Sequence, residues 1–174
     1  MKNTFKIILV LFFFLNIFNS EAQKVKDTSD NSAYLLKSEK PKFQITFPTN
    51  YKLEDSKTEK GLKTMFYRAV KNDDVYMFKF TEHKNPAVSP DNQVYMNASL
   101  ESFVTGIHAE LIKKFEFKEK KEKGLEAFLK IPDTQMNVFY RVLIVKHVQY
   151  QLIIITKAEE KTEEIINFFK SFHI

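Results

Sequence analysis

Of the 27 basic residues in this sequence, only Arg68 and Arg141 are arginine. Each lies in a run with apolar neighbours, FYRAV and FYRVLIV. A guanidinium is a planar fork that binds a carboxylate or phosphate through two parallel hydrogen bonds, which an ammonium does not do. Two kinds of partner suit such a fork. One is the anionic group of a ligand, so Arg68 and Arg141 are candidate ligand or anion contacts. The other is internal: a Glu or Asp of the same chain, or water reached by the head while the stem packs.

Lys113, Lys114, Lys118, Lys120, Lys121 and Lys123 form a second constellation, interleaved with Glu116, Glu119 and Glu122. As a functional patch it would dock an acidic lipid, polysaccharide or protein. The simpler alternative is protection of an exposed edge strand, where lysine resists pairing with another chain.

Other chemistries lack their residues. There is no cysteine, no G-x-S-x-G elbow and no Ser-x-x-Lys pair. His83, His108, His147 and His173 have no metal-binding spacing, and Gly61, Gly106 and Gly124 stand apart, so no phosphate loop exists. Glu159, Glu160, Glu163 and Glu164 fit the start of a helix, where carboxylates meet the positive end of its dipole. The expectation is a protein that is not an enzyme and needs no cofactor. Nucleic acid is not an expected partner, because the net charge of +5 is lysine dispersed among glutamate and arginine is scarce.

The elements that would position these residues follow from periodicity. Residues 1–22 read as a secretory signal: Lys2 and Lys6, the apolar run IILVLFFFLNIF, then Ser20 and Ala22 at the cleavage positions. That run is too short to span a bilayer comfortably. Without a cysteine there is no lipid anchor of the lipoprotein kind. The expected location is therefore periplasmic or secreted, and soluble. Residues 23–41 read as a flexible lead-in and residues 42–174 as a single domain.

Within that domain FQITFP alternates as a half-buried strand. LKTMFYRAVK and DVYMFKFTE flank Asn72-Asp73 as a hairpin, pairing Ala69 with Tyr76, Tyr67 with Phe78 and Met65 with Phe80. Its second face, with Phe66, Arg68, Met77 and Lys79, is mixed. Leu100, Phe103, Val104, Ile107, Leu111, Ile112 and Phe115 recur at helical spacing. They predict one helix capped by Asn97 or Ser99 and closed by Lys113-Lys114. A short charged strand, a turn at Gly124, and strands over 125–131, 135–146 and 148–156 make a meander. A helix carrying Ile165, Ile166, Phe169 and Phe172 ends the chain. The predicted class is α+β: an antiparallel sheet of six or seven strands sandwiched by helices.

FQITFPTNY, the amphipathic helix at mid-chain, the meander with YQLIIIT and the terminal FFKSF together resemble the PsbP-like fold family across residues 42–174. That family includes the photosystem II extrinsic subunit, a eukaryotic Ran-release factor and many exported bacterial proteins. The resemblance implies a sheet sandwiched by helices and a small exported accessory protein without enzymatic activity. It carries no site residue onto this chain. The expected function is an accessory or binding protein of the cell envelope, acting through its surface on another envelope protein or surface component. The alternative is a small-ligand or lipid-binding module with a pocket between sheet and helix, near Arg68 or Arg141.

Overall fold

Asn72 and Asp73 both take positive φ, 51° and 69°, as a two-residue turn of the primed kind requires. They join β4 (Leu62–Lys71) to β5 (Asp74–His83), and Ala69 faces Tyr76, Tyr67 faces Phe78 and Met65 faces Phe80. The computed structural model describes residues 34–83, 92–119 and 121–174. The leader at 1–22, most of the lead-in and Lys120 lie outside the described residues. Within them no helix is long and apolar enough to cross a membrane.

The remaining elements are β1 (Leu35–Glu39), β2 (Lys42–Thr46), β3 (Tyr51–Glu59), α1 (Asn92–Gly106), β6 (Glu110–Glu119), β7 (Glu122–Lys130), β8 (Asn137–Val145), β9 (Val148–Thr156) and α2 (Glu163–Ser171). Seven strands form one antiparallel sheet in the order β3-β4-β5-β9-β8-β7-β6, and β1 pairs with β2 separately. The class is α+β. The turn at Lys146-His147 sets the β8–β9 register, with Val145 opposite Val148, Leu143 opposite Tyr150 and Tyr140 opposite Ile153.

Both faces of the sheet are apolar at its centre, so both need cover. One face packs against α2, through Ile165, Phe168 and Phe169, and against Phe43, Ile45 and Phe47 of the β1–β2 segment. Its middle is aromatic: Phe78 is fully buried, 4.9 Å from Phe43 and 5.6 Å from Phe172 between ring centroids. Truncating such a ring to alanine costs about 3–5 kcal/mol. The other face packs against α1 through Met96 and Leu100. The stretch read as lead-in thus supplies a strand, β1, with Leu36 packed on the core. The chain end is tied to the same hairpin. Gln44 and His173 exchange backbone hydrogen bonds of 2.8 and 2.9 Å, and Thr46 N–H donates to Ser171 Oγ at 3.0 Å.

Three expectations need correction. The mid-chain helix starts at Asn92 and stops at Gly106, so Leu111, Ile112 and Phe115 are not on it. His108, at φ 53°, ends it: Ala109 N–H donates to Val104 O (3.0 Å) and His108 N–H to Thr105 O (3.3 Å). That pair of bonds is the Schellman stop signal, with histidine where glycine is usual. Residues 110–119 then pair along β7 as an edge strand, and Ile112 is the extra residue of a bulge. Second, Gly124 is not a turn residue but lies within β7, opposite Phe117. A Cβ there would sit 2.3 Å from the Phe117 ring, so glycine lets the ring lie across the strand. Third, the polar run YKLEDSKTE, not predicted as a strand, forms the opposite edge strand β3.

Candidate functional site

Helix α1 lies mainly over β7 and β8, meets β9 through Ser99, and covers the β4 and β5 side of the same face only in part. The result is an open cleft of about 600 Å³ between α1 and the β3–β5 side of the sheet. Its walls are Phe66, Met77, Ile153 and Ile155 from the strands, with Phe103 from the helix and Ile107 from the turn that follows it. Asp55, Lys57, Glu59 and Lys60 stand on the rim.

Lys79 lies on the floor. It sits on the inner strand β5, between Phe66 on β4 and Gln151 on β9. Burial among apolar groups pushes its ammonium below the usual lysine value, and the Asp55 charge only partly opposes this. Among the described residues its ammonium has no hydrogen-bond or ion-pair partner. Apolar walls with one cation of lowered pKa make the physical profile of a binding site.

Behind Lys79 a polar network joins α1 to the sheet. Gln151 Nε2 donates to Tyr140 Oη (2.8 Å) and Ser99 Oγ (2.9 Å), Gln149 Nε2 donates to Ser99 Oγ (2.9 Å), and Ser99 Oγ lies 3.1 Å from Tyr140 Oη. The Tyr140 ring stacks on Phe103 at 5.0 Å. Burial raises the Tyr140 hydroxyl above its ordinary value, against the bonds from Ser99 and Gln151. The phenol therefore stays neutral, and among the described residues Ser99 has no base beside it. The arrangement holds the helix in place without activating a nucleophile.

The two arginines lie on opposite faces. Arg68, across from Met77, is on the α1 face, and its Nε donates to Glu54 Oε1 at 2.9 Å. Glu54 reaches it because it is the extra residue of a bulge in β3. Arg141, across from Glu126 and Leu152, is on the α2 face. Its Nε and Nη2 donate to Glu126 Oε2 at 3.0 and 2.6 Å. Phe117 and Phe169 cover the guanidinium, with ring centroids 4.4 and 4.5 Å from Cζ. Lys161 pairs with the other Glu126 oxygen and lies 5.5 Å from the Phe169 centroid. Burial pushes Arg141 down to about 10, opposed by the Glu119 carboxylate, so it stays charged at neutral pH. Of the two partners open to each fork, an internal glutamate occupies both.

The lysine constellation is divided by strand alternation. Lys113 is across from Phe128 on the α2 side, whereas Lys114 is across from Ala127 and Lys118 across from Lys123 on the α1 side. Lys114 Nζ donates to Asn97 Oδ1 at 3.0 Å, and Lys113 lies 5.9 Å from the Phe115 centroid. Lys121 is in the β6–β7 turn. These lysines edge the sheet on two sides and do not share one surface.

A second cleft, of about 650 Å³, lies beneath the β8–β9 turn. Lysines and glutamates both line it, and His147 Nε2 lies 3.5 Å from Glu82 Oε1. Among the described residues no three His, Asp or Glu side chains group as metal ligands.

Glu126, Lys161 and Gln151 were not singled out from the sequence. Lys79 was noted only on a mixed face. A charged residue amid YMFKF, on a strand with apolar neighbours on both sides, is the signal that marks it.

No protein-family model matches the chain, and no curated protein matches it by sequence. A solved structure does. The solution structure of cyanobacterial PsbP (CyanoP) from Synechocystis sp. PCC 6803 is similar at a TM-score of 0.57 and 15% identity, covering 87% of this chain and 98% of that one. The chain has a PsbP-like fold. At that identity the likeness concerns the backbone alone, and function must be argued from the side chains. The PsbP-like scaffold here carries an open cleft with apolar walls on the α1 face, around Lys79.

Proposed function

We propose that this chain is an exported, non-enzymatic binding protein of the cell envelope whose binding element is the groove between α1 and β3, β4, β5 and β9. The cleft around Lys79 carries the reading: apolar walls, an unpaired half-buried cation and a volume in the range of small-ligand sites. Export rests on the basic start, apolar run and small residues of positions 1–22. Absence of catalysis is supported by Ser99, whose neighbours are a neutral phenol and two amides. The anion contact first sought at Arg68 or Arg141 passes to Lys79, because both guanidiniums have internal carboxylate partners.

The test is a titration of purified protein with the neutral fluorescent probe N-phenyl-1-naphthylamine. Saturable enhancement that is lost on Ile153→Asp and Ile155→Asp, with circular dichroism unchanged, supports the groove. Enhancement that these variants leave intact would sink it.

A second reading, docking of another envelope protein, is favoured by edge strand β6. Leu111, Ile112 and Phe115 stand exposed there. Crosslinking in intact envelopes tests it, and loss of a crosslinked species on Ile112→Lys supports it.

A further inference from the structure

The charge inside the groove narrows the class of ligand it can take. Gln151 has two amide protons, and both are committed, to Ser99 and to Tyr140. Thr64 Oγ1 is hydrogen-bonded to Thr81 Oγ1 at 3.2 Å. Lys60 lies out on the rim, 4.0 Å from Glu59. Among the described residues that line the inner groove, Lys79 is the one charged group, and its ammonium has no hydrogen-bond or ion-pair partner. It is a single point of positive charge at the floor of an apolar cleft.

The rim has the opposite tendency. Asp55 and Glu59 place carboxylates at the entrance beside Lys57 and Lys60, so the mouth as a whole gives no excess attraction for a polyanion. A phosphate dianion carries two charges against the one of the ammonium, and the second would be placed among apolar walls without a counter-charge. A carboxylate carries one charge. Its aliphatic or aromatic body would lie along Phe66, Met77, Phe103, Ile107, Ile153 and Ile155.

Building on the groove reading above, we infer that the ligand is a monocarboxylate with an apolar body, its carboxylate on Lys79 Nζ. A charge-assisted hydrogen bond inside an apolar site makes a carboxylate bind about tenfold more tightly than the matching alcohol.

The experiment is displacement of N-phenyl-1-naphthylamine from the wild type, Lys79→Met and the rim control Lys57→Met. The competitors are dodecanoate and dodecyltrimethylammonium, below their micellar concentrations, and dodecanol, below its solubility limit. Methionine keeps the volume and apolar contact of the lysine stem, and Lys79→Gln serves as a second variant should it misfold. The expected result is that dodecanoate displaces the probe at about one-tenth the concentration of dodecanol. Dodecyltrimethylammonium should be the weakest competitor. Lys79→Met should bind the probe but lose the preference, and Lys57→Met should keep it.

Equal potency of dodecanoate and dodecanol against a bound probe overturns the monocarboxylate assignment and leaves the groove standing. Survival of the preference in Lys79→Met, or its equal loss in Lys57→Met, overturns it as well. Failure of the probe to bind the wild type removes the groove and the inference together.

Discussion

The guanidinium carbon of Arg141 lies 4.4 Å from the centroid of Phe117, a residue of the neighbouring hairpin's edge strand. Phe169 covers the other side from α2. One side chain on β8 thereby holds an edge strand and the terminal helix together. Its charge is balanced by Glu126, which is 2% exposed.

Removing that charge should leave Glu126 buried with Lys161 alone. Arg141→Met is expected to destabilise the fold by about 3 kcal/mol, the lower end for breaking a buried pair. The urea midpoint, followed by far-ultraviolet circular dichroism because the chain has no Trp, reads this. Adding Glu126→Gln should recover part of the loss. A double variant as unstable as the sum of the two singles would show that the pair is not coupled.

Gly124→Ala should displace Phe117. A Cβ at 124 would lie 2.3 Å from the ring and 2.9 Å from Val142 O. The ring can swing away only by leaving Arg141, and the carbonyl cannot move without disturbing the ladder. A loss of about 1–3 kcal/mol is expected. In a Phe117→Ala background the same change should cost less, and equal cost in both backgrounds would refute the steric account.

Lys79→Met should raise stability at neutral pH. The folded state lowers the Lys79 pKa below the usual 10.5, so it disfavours the ammonium. The resulting penalty is fully present below the folded value and vanishes as pH rises through the unfolded one. The gap between variant and wild type should therefore close above about pH 10.5. Thermal melts at pH 7 and pH 11 check this, and a gap that persists at pH 11 counts against desolvation as its cause.

Acid should loosen α2 through Glu164. Burial works to raise its carboxyl. The hydrogen bonds from Lys71 and Tyr76, with the Lys71 charge, outweigh burial and hold it below its usual 4.5. Its contribution is present above that value and is lost as pH falls through the lower folded value. Glu164→Gln is expected to be less stable at pH 7 and to lose less on acidification to pH 3. Parallel acid profiles for the two proteins would contradict the assignment.

The hairpins were legible because strand alternation fixes register: Tyr67 could face only Phe78 if both were to be buried. The end of α1 was not, for a physical reason. Leu111, Ile112 and Phe115 match a helical period, but Ile112 is a bulged residue, and a bulge breaks the period of two on which a strand is recognised. Strand β3 was hidden by its charges, which suit an edge and carry no core pattern. Arg141 was recognised as needing a rigid partner. Glu126 and Lys161 could not be named, since a cross-strand register and a contact 35 residues away must both be known first. The groove was invisible for a related reason. It depends on where α1 lies across the sheet, over β7 and β8, which no local pattern encodes.

The bonds between Gln44 and His173, and between Thr46 and Ser171, join positions up to 129 and 125 residues apart. The β1–β2 hairpin cannot be fastened in this way until residues 171–173 have been synthesised. For a chain exported in the manner proposed, this late clasp would leave the β1–β2 segment free to thread through a translocation channel, and the clasp would close only once residues 44–46 and 171–173 had both arrived on the far side.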